Sequence, residues 1–281
     1  MILLRDMKAS PRILLASLAL AVTLSGCSGT DGGTPGKDAI VDPNRTPDGI
    51  RIHGAVVGEW THDWDAAMAL AQEENRPVLA FFTASDWNDW HRFVDQRIFS
   101  TSAWKEWAGK RLVLAWVNHP NDERLVPAEW VGRNRTLTRQ YGASAYPALL
   151  LVNGTTRQAY DRYHVTRDST PEGFISWINR TVSENQPGGV KAALNDEDRA
   201  ALEGLRARRR PLMEAYNAAV AEEQKAYDAM RSRTMATADL EAWTRKSNAK
   251  LAAVKAPLDA VDRELDVYYA KSADSLLLPA P

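Results

Sequence analysis

Apolar residues recur along this chain in two rhythms, and the change from one to the other divides it. In residues 63–75, DWDAAMALAQEEN, Trp64, Ala67, Met68 and Ala71 fall at helical spacing, and PVLAFFT, residues 77–83, follows as a near-continuous apolar run of strand length. A helix leading into a buried strand is predicted. The next periodic stretch, residues 86–98, repeats Trp90, Val94 and Ile98 every four positions, which predicts a helix with Trp90 on its core side. TSAWKEWA, residues 101–108, gives a shorter helix, and RLVLAWVN, residues 111–118, a second buried strand. A polar excursion over 119–135 and a brief helix ending at Tyr141-Gly142 precede PALLLVNGTTRQAYDRYH, in which two strands join around Asn153-Gly154. Thr170-Pro171-Glu172 opens another helix, with threonine as N-cap and proline at the first helical position.

Parallel strands linked by helices, then an antiparallel pair, make an α/β sandwich. The Pro-Gly-Gly break in QPGGVK, residues 186–191, ends this region. Beyond it the rhythm is helical. Leu202, Leu205, Leu212, Tyr216, Ala219, Ala226 and Met230 alternate three-four spacings in which Arg209 and Glu223 fill the missing turns. Leu251, Val254, Leu258, Val261, Leu265 and Tyr268 repeat the pattern. An antiparallel helical hairpin over residues 192–272 is expected, turning at 233–237 with Thr237 as N-cap, carrying Pro211 and Pro257 at nearly matched heights, and followed by a tail, 273–281. The pattern leaves open whether the hairpin packs back on the sandwich or projects from it.

The N-terminus reads as a secretory signal over residues 1–26, with Arg5, Lys8 and Arg12 before the apolar run 13–24, which is too short for a membrane-spanning helix. The run ends in Leu24-Ser25-Gly26-Cys27, which resembles the lipobox of bacterial lipoproteins. That resemblance implies a cysteine acylated after cleavage, an anchor sufficient for stable membrane attachment, and delivery to the outer membrane facing the periplasm. The Gly-, Pro- and Asp-rich residues 27–53 read as a flexible tether, and residues 54–185 as the first domain.

Composition then removes several functions. The formal charge of −1 leaves no global field to attract nucleic acid, and 44% apolar with 25% charged residues is ordinary for a globular chain. One cysteine among 281 residues excludes any cycle between dithiol and disulfide. No nucleophile motif, phosphate loop or zinc-protease helix is present.

Ser85-Asp86-Trp87-Asn88-Asp89-Trp90-His91, with Ile98-Phe99-Ser100-Thr101 and Ala145-Tyr146-Pro147, resembles the thioredoxin-like proteins of the bacterial envelope whose active site reads Ser-Asp-Trp-Cys-x-Trp-Cys. The likeness covers residues 57–183 and implies a thioredoxin-like three-layer sandwich, followed here by the α-helical hairpin. It also implies that Pro147 is cis and faces the site. The two cysteine positions are Asn88 and His91, and neither an amide nor an imidazole performs thiol exchange. The expectation is therefore a redox-inactive domain that needs no cofactor and binds an envelope protein or extended peptide. Its groove would comprise Trp87, Asn88, Asp89, Trp90, His91, Tyr146 and Pro147, with Asp86 and Asp89 as candidate helix caps and main-chain hydrogen bonds beside the cis-proline holding the peptide. The alternatives are a metal or catalytic site built on His91, His119 and neighbouring aspartates and, behind it, a residual thiol-disulfide oxidoreductase activity.

Overall fold

A computed structural model describes residues 42–232 and 237–278. The expected signal, Cys27 as the expected acylation site, most of the expected tether and most of the hairpin turn lie outside the described residues. From Asp42 the elements are β1 (Trp60–Thr61), α1 (Trp64–Glu73), β2 (Pro77–Thr83), α2 (Asp89–Val94) continued by a π-helical turn (Asp95–Phe99), α3 (Ser102–Ala108) and β3 (Val113–Asn118). Then come α4 (Ala128–Gln140), β4 (Ala148–Asn153), β5 (Ala159–Tyr163), α5 (Pro171–Asn185), α6 (Gly189–Ala193), α7 (Asp196–Arg231) and α8 (Thr237–Leu277). The strands form one mixed sheet in the order β1-β3-β2-β4-β5, in which β1, β3 and β2 are parallel and β4 and β5 antiparallel. This is a thioredoxin-like sandwich followed by a pair of long contacting helices.

The central strands read as unbroken apolar runs because both of their faces are covered. In β2, Leu79 and Phe81 enter a core shared with the π-turn, α3 and α5, while Val78, Ala80 and Phe82 enter a second core with α1 and α4. Asn153 ends β4 as expected, but the connection to β5 spans five residues, 154–158. The Asn153 side chain accepts from the Thr155 and Thr156 amides to shape it. Glycine stands at 154 for space: a Cβ there would lie 2.7 Å from the Arg76 carbonyl.

Three expectations change. Residues 42–53, read as the end of the tether, fold back on the domain. Arg45 and Arg51 form an isolated antiparallel bridge, and both guanidinium groups reach the Glu59 carboxylate, at 2.6 and 2.8 Å. The hydrogen bond from Arg51, then that from Arg45, holds Glu59 below its ordinary pKa. Farther along, position 58 admits only glycine: its φ is +80°, and a Cβ there would lie 2.3 Å from the Cα of Gly109.

The second change concerns Trp90. Past Val94 the helix widens into the π-turn, the Ser100 amide bonding to the Asp95 carbonyl, and the inward stripe before it runs through His91 rather than Trp90. His91, Val94 and Ile98 face the core, and Trp90 is turned out at 38% exposure. The third concerns the hairpin, whose base packs on the sandwich. Helix α8 continues through the expected tail to Leu277, and its Ala273 and Leu277 belong to the main core. Tyr269, one position after the predicted Tyr268, joins the buried seam with Leu202, Leu205, Val261 and Leu265. Beside that seam, α8 also meets α5, where Ser176 donates to Asp266 at 2.6 Å, and the loop before β3, where Arg111 pairs with Asp274 at 2.8 Å. Arg209, which interrupts the apolar rhythm of α7, reaches Asp262 of α8 at 2.5 Å. Both helices run through Pro211 and Pro257. No helix among the described residues is long and apolar enough to cross a membrane.

Candidate functional site

The site lies where β2 ends and α2 begins, beside the cis Tyr146-Pro147 bond. Asn88 occupies the N-cap. Its Oδ1 accepts from the Trp90 amide at 2.9 Å and the His91 amide at 3.1 Å, satisfying two donors that the helix start leaves open. Its Nδ2 donates to the Tyr146 carbonyl at 3.0 Å. One amide thus ties the helix start to the cis-proline loop. Asparagine is among the best N-caps, so the residue type itself points to this role, but the expected caps are Asp86 and Asp89. Asp86 instead accepts from the amides of Asn121 and Asp122, holding the opposite loop, and Asp89 stands exposed beside Arg92.

His91 is 8% exposed, stacks on Phe81 with centroids 5.6 Å apart, and meets the edge of Trp116. Its Nδ1 lies 2.9 Å from the Thr83 hydroxyl. Burial lowers its pKa, with nearby Asp95 opposing, so the ring is neutral near pH 7. His119 is turned elsewhere: Nε2 lies 2.8 Å from the Thr138 hydroxyl, and its ring stacks on Tyr146 at 5.1 Å. The two histidines proposed as joint ligands therefore serve different threonines. Among the described residues, no group of three or more His, Cys, Asp or Glu side chains is placed to hold a metal ion.

Trp87 is 49% exposed, donates its indole N–H to the His119 carbonyl at 3.0 Å, and sits edge-on to Tyr146. Trp90 lies edge-on to Phe93, with the Arg167 guanidinium 5.9 Å from its ring. Two large aromatic rings, fixed in place and open to solvent, thus flank Asn88. The Tyr146 carbonyl, next to the backbone that was expected to pair with an extended peptide, already accepts from Asn88. A carbonyl retains a second lone pair, but the edge is less free than an unmodified one.

No family model matches the chain. Over 92 residues it is 28% identical to the disulfide bond reductase DsbH of Chlamydia pneumoniae. That match spans 33% of this chain and 55% of the length of the reductase. A solved DsbH oxidoreductase structure is similar with a TM-score of 0.41 and 22% identity, covering 46% of this chain and 86% of that one. A thioredoxin from Thermus thermophilus gives a TM-score of 0.35 and 16% identity over 44% and 87% of the two chains. The chain is related in sequence to a disulfide reductase, yet it lacks the cysteine pair such chemistry requires.

Proposed function

We propose that the thioredoxin-like domain is a non-catalytic binding module of the cell envelope, held to a membrane by lipid on Cys27. It takes an extended protein segment at the corner formed by Trp87, Trp90, Tyr146 and Pro147. The observation that carries this reading is the exposure of Trp87 and Trp90 on either side of a position that has lost its chemistry. Tryptophan contributes large contact area at little conformational cost and is enriched at the energetic centres of interfaces. With the Tyr146 carbonyl engaged by Asn88, affinity rests on these rings more than on strand addition. The occupant is a segment presenting apolar side chains, flanked by acidic residues that meet Arg167. The lipobox-like Leu24-Ser25-Gly26-Cys27 supports the anchor, and the hairpin offers a second surface for envelope partners.

Selection of extended peptides from a displayed library on the purified protein tests the reading. Enriched peptides are expected to shift the indole N–H signals of Trp87 and Trp90 in NMR titrations. The double substitution Trp87→Ala/Trp90→Ala is expected to weaken them about 30-fold, roughly one interface hot spot. Peptides that bind the doubly substituted protein as well as the original would refute the corner as the binding surface.

A further inference from the structure

A cavity of about 590 Å³ lies behind His91, on the side where the N-terminal segment closes over the domain. Its walls are Trp60, Phe99, Trp104 and Trp116, all well packed and fixed by contacts among themselves: Trp60 meets Phe99 at 5.0 Å and Trp116 at 5.2 Å, and Phe99 meets Trp104 at 5.3 Å. The Glu59 carboxylate, clamped between Arg45 and Arg51, forms part of its wall. The size falls within the ordinary range of small-molecule sites, and such sites combine apolar walls with a few placed polar groups.

His91 supplies that polar group. Nδ1 is engaged by Thr83, and Nε2 is left without a protein partner while the residue itself is more than nine-tenths buried. Lys105 and Asp95 also line the cavity, and neither side chain is in a hydrogen bond or ion pair among the described residues. Asp48 lines the cavity too, and with Arg45 and Glu59 paired to each other, the lining carries charges of both signs, which disfavours a ligand of high net charge.

We propose that this cavity binds a small, flat aromatic molecule carrying one hydroxyl or ring nitrogen, which meets His91 Nε2 while its ring packs among the tryptophans. The site is separate from the Trp87–Trp90 corner and stands whether or not that corner binds peptide. Which ring nitrogen of His91 carries the proton depends on the Thr83 hydroxyl, so Nε2 is either donor or acceptor. A phenolic hydroxyl, which donates and accepts, suits both cases.

Phenol is therefore the probe, with toluene as its counterpart of similar shape lacking the hydroxyl. In NMR titrations of the full chain, phenol is expected to produce saturable shifts at the indole signals of Trp60, Trp104 and Trp116 and at the His91 ring. The affinity ratio of phenol to toluene is expected to fall about tenfold in His91→Phe, which keeps the ring stack on Phe81 and removes Nε2. The titration of the unsubstituted protein decides the matter even where that variant folds poorly. Absence of saturation, or shifts confined to Trp87 and Trp90, would overturn the cavity as a ligand site. An unchanged phenol-to-toluene ratio in a folded His91→Phe protein would overturn the role of His91.

Discussion

Lowering the pH from about 6.5 to 4 is expected to destabilise the folded chain by about 3 kcal/mol through His62 alone. This histidine follows β1 at 2% exposure, and neither of its ring nitrogens has a hydrogen-bond partner. Burial depresses its pKa to about 4; a nearby backbone group of Trp116 opposes this without forming a sound hydrogen bond, and the Arg133 guanidinium adds to the depression. Between the two pKa values the unfolded chain binds a proton that the folded chain refuses. Stability is therefore complete above pH 6.5, declines as the pH falls toward 4, and levels off for this group below that. His91 and His119, both depressed chiefly by burial, act in the same direction. Urea unfolding measured across this range checks the slope. His62→Leu exchanges an unpartnered polar ring for an apolar side chain of similar size, and it is expected to flatten the slope while keeping stability at pH 7. A His62→Leu protein with the original slope would remove His62 as its source.

Replacing Asn88 with alanine is expected to cost about 2 kcal/mol at pH 7, the sum of a lost N-cap and a lost hydrogen bond to the Tyr146 carbonyl. Asn88→Asp separates the two. A carboxylate still accepts from the amides of Trp90 and His91 and is favoured by the helix dipole, but it has no N–H for Tyr146. It should fall between the original protein and Asn88→Ala in a denaturation midpoint. Hydrogen exchange adds the local readout: the α2 amides lose protection in Asn88→Ala and keep it in Asn88→Asp. Equal stability of all three proteins would mean that the asparagine merely fills a vacated position. The predicted loss would mean that the residue substituted for a nucleophile has become a structural tie.

Much of this architecture was legible in the chain. The apolar runs 77–83 and 111–118 and the Thr170-Pro171 start are borne out as β2, β3 and the capped beginning of α5, because each carries its own local signal. Trp90 was misplaced because the inward stripe of Val94 and Ile98 extends back equally well to His91, three positions before Val94, and that ring takes the inward place against Phe81 and Trp116. Tyr269 was missed because α8 answers to two neighbours, whereas a three-four rhythm describes one seam. The cavity was invisible in sequence since Trp60, Phe99, Trp104 and Trp116 come from separate elements, and residues 42–53, rich in turn formers, gave no sign that they would cover it. At the site itself, Asn88 and His91 announced the missing chemistry, but their partners, Tyr146 and Thr83, are fixed only by the fold.

The central claim is that a thioredoxin-like fold persists here without its reaction. It is tested most directly by turnover of a protein disulfide in the presence of dithiothreitol, with the purified chain as catalyst. The expected rate equals that of the reductant alone at every protein concentration, because no pair of thiols exists to carry the exchange. A rate that rises in proportion to the added protein would contradict the account.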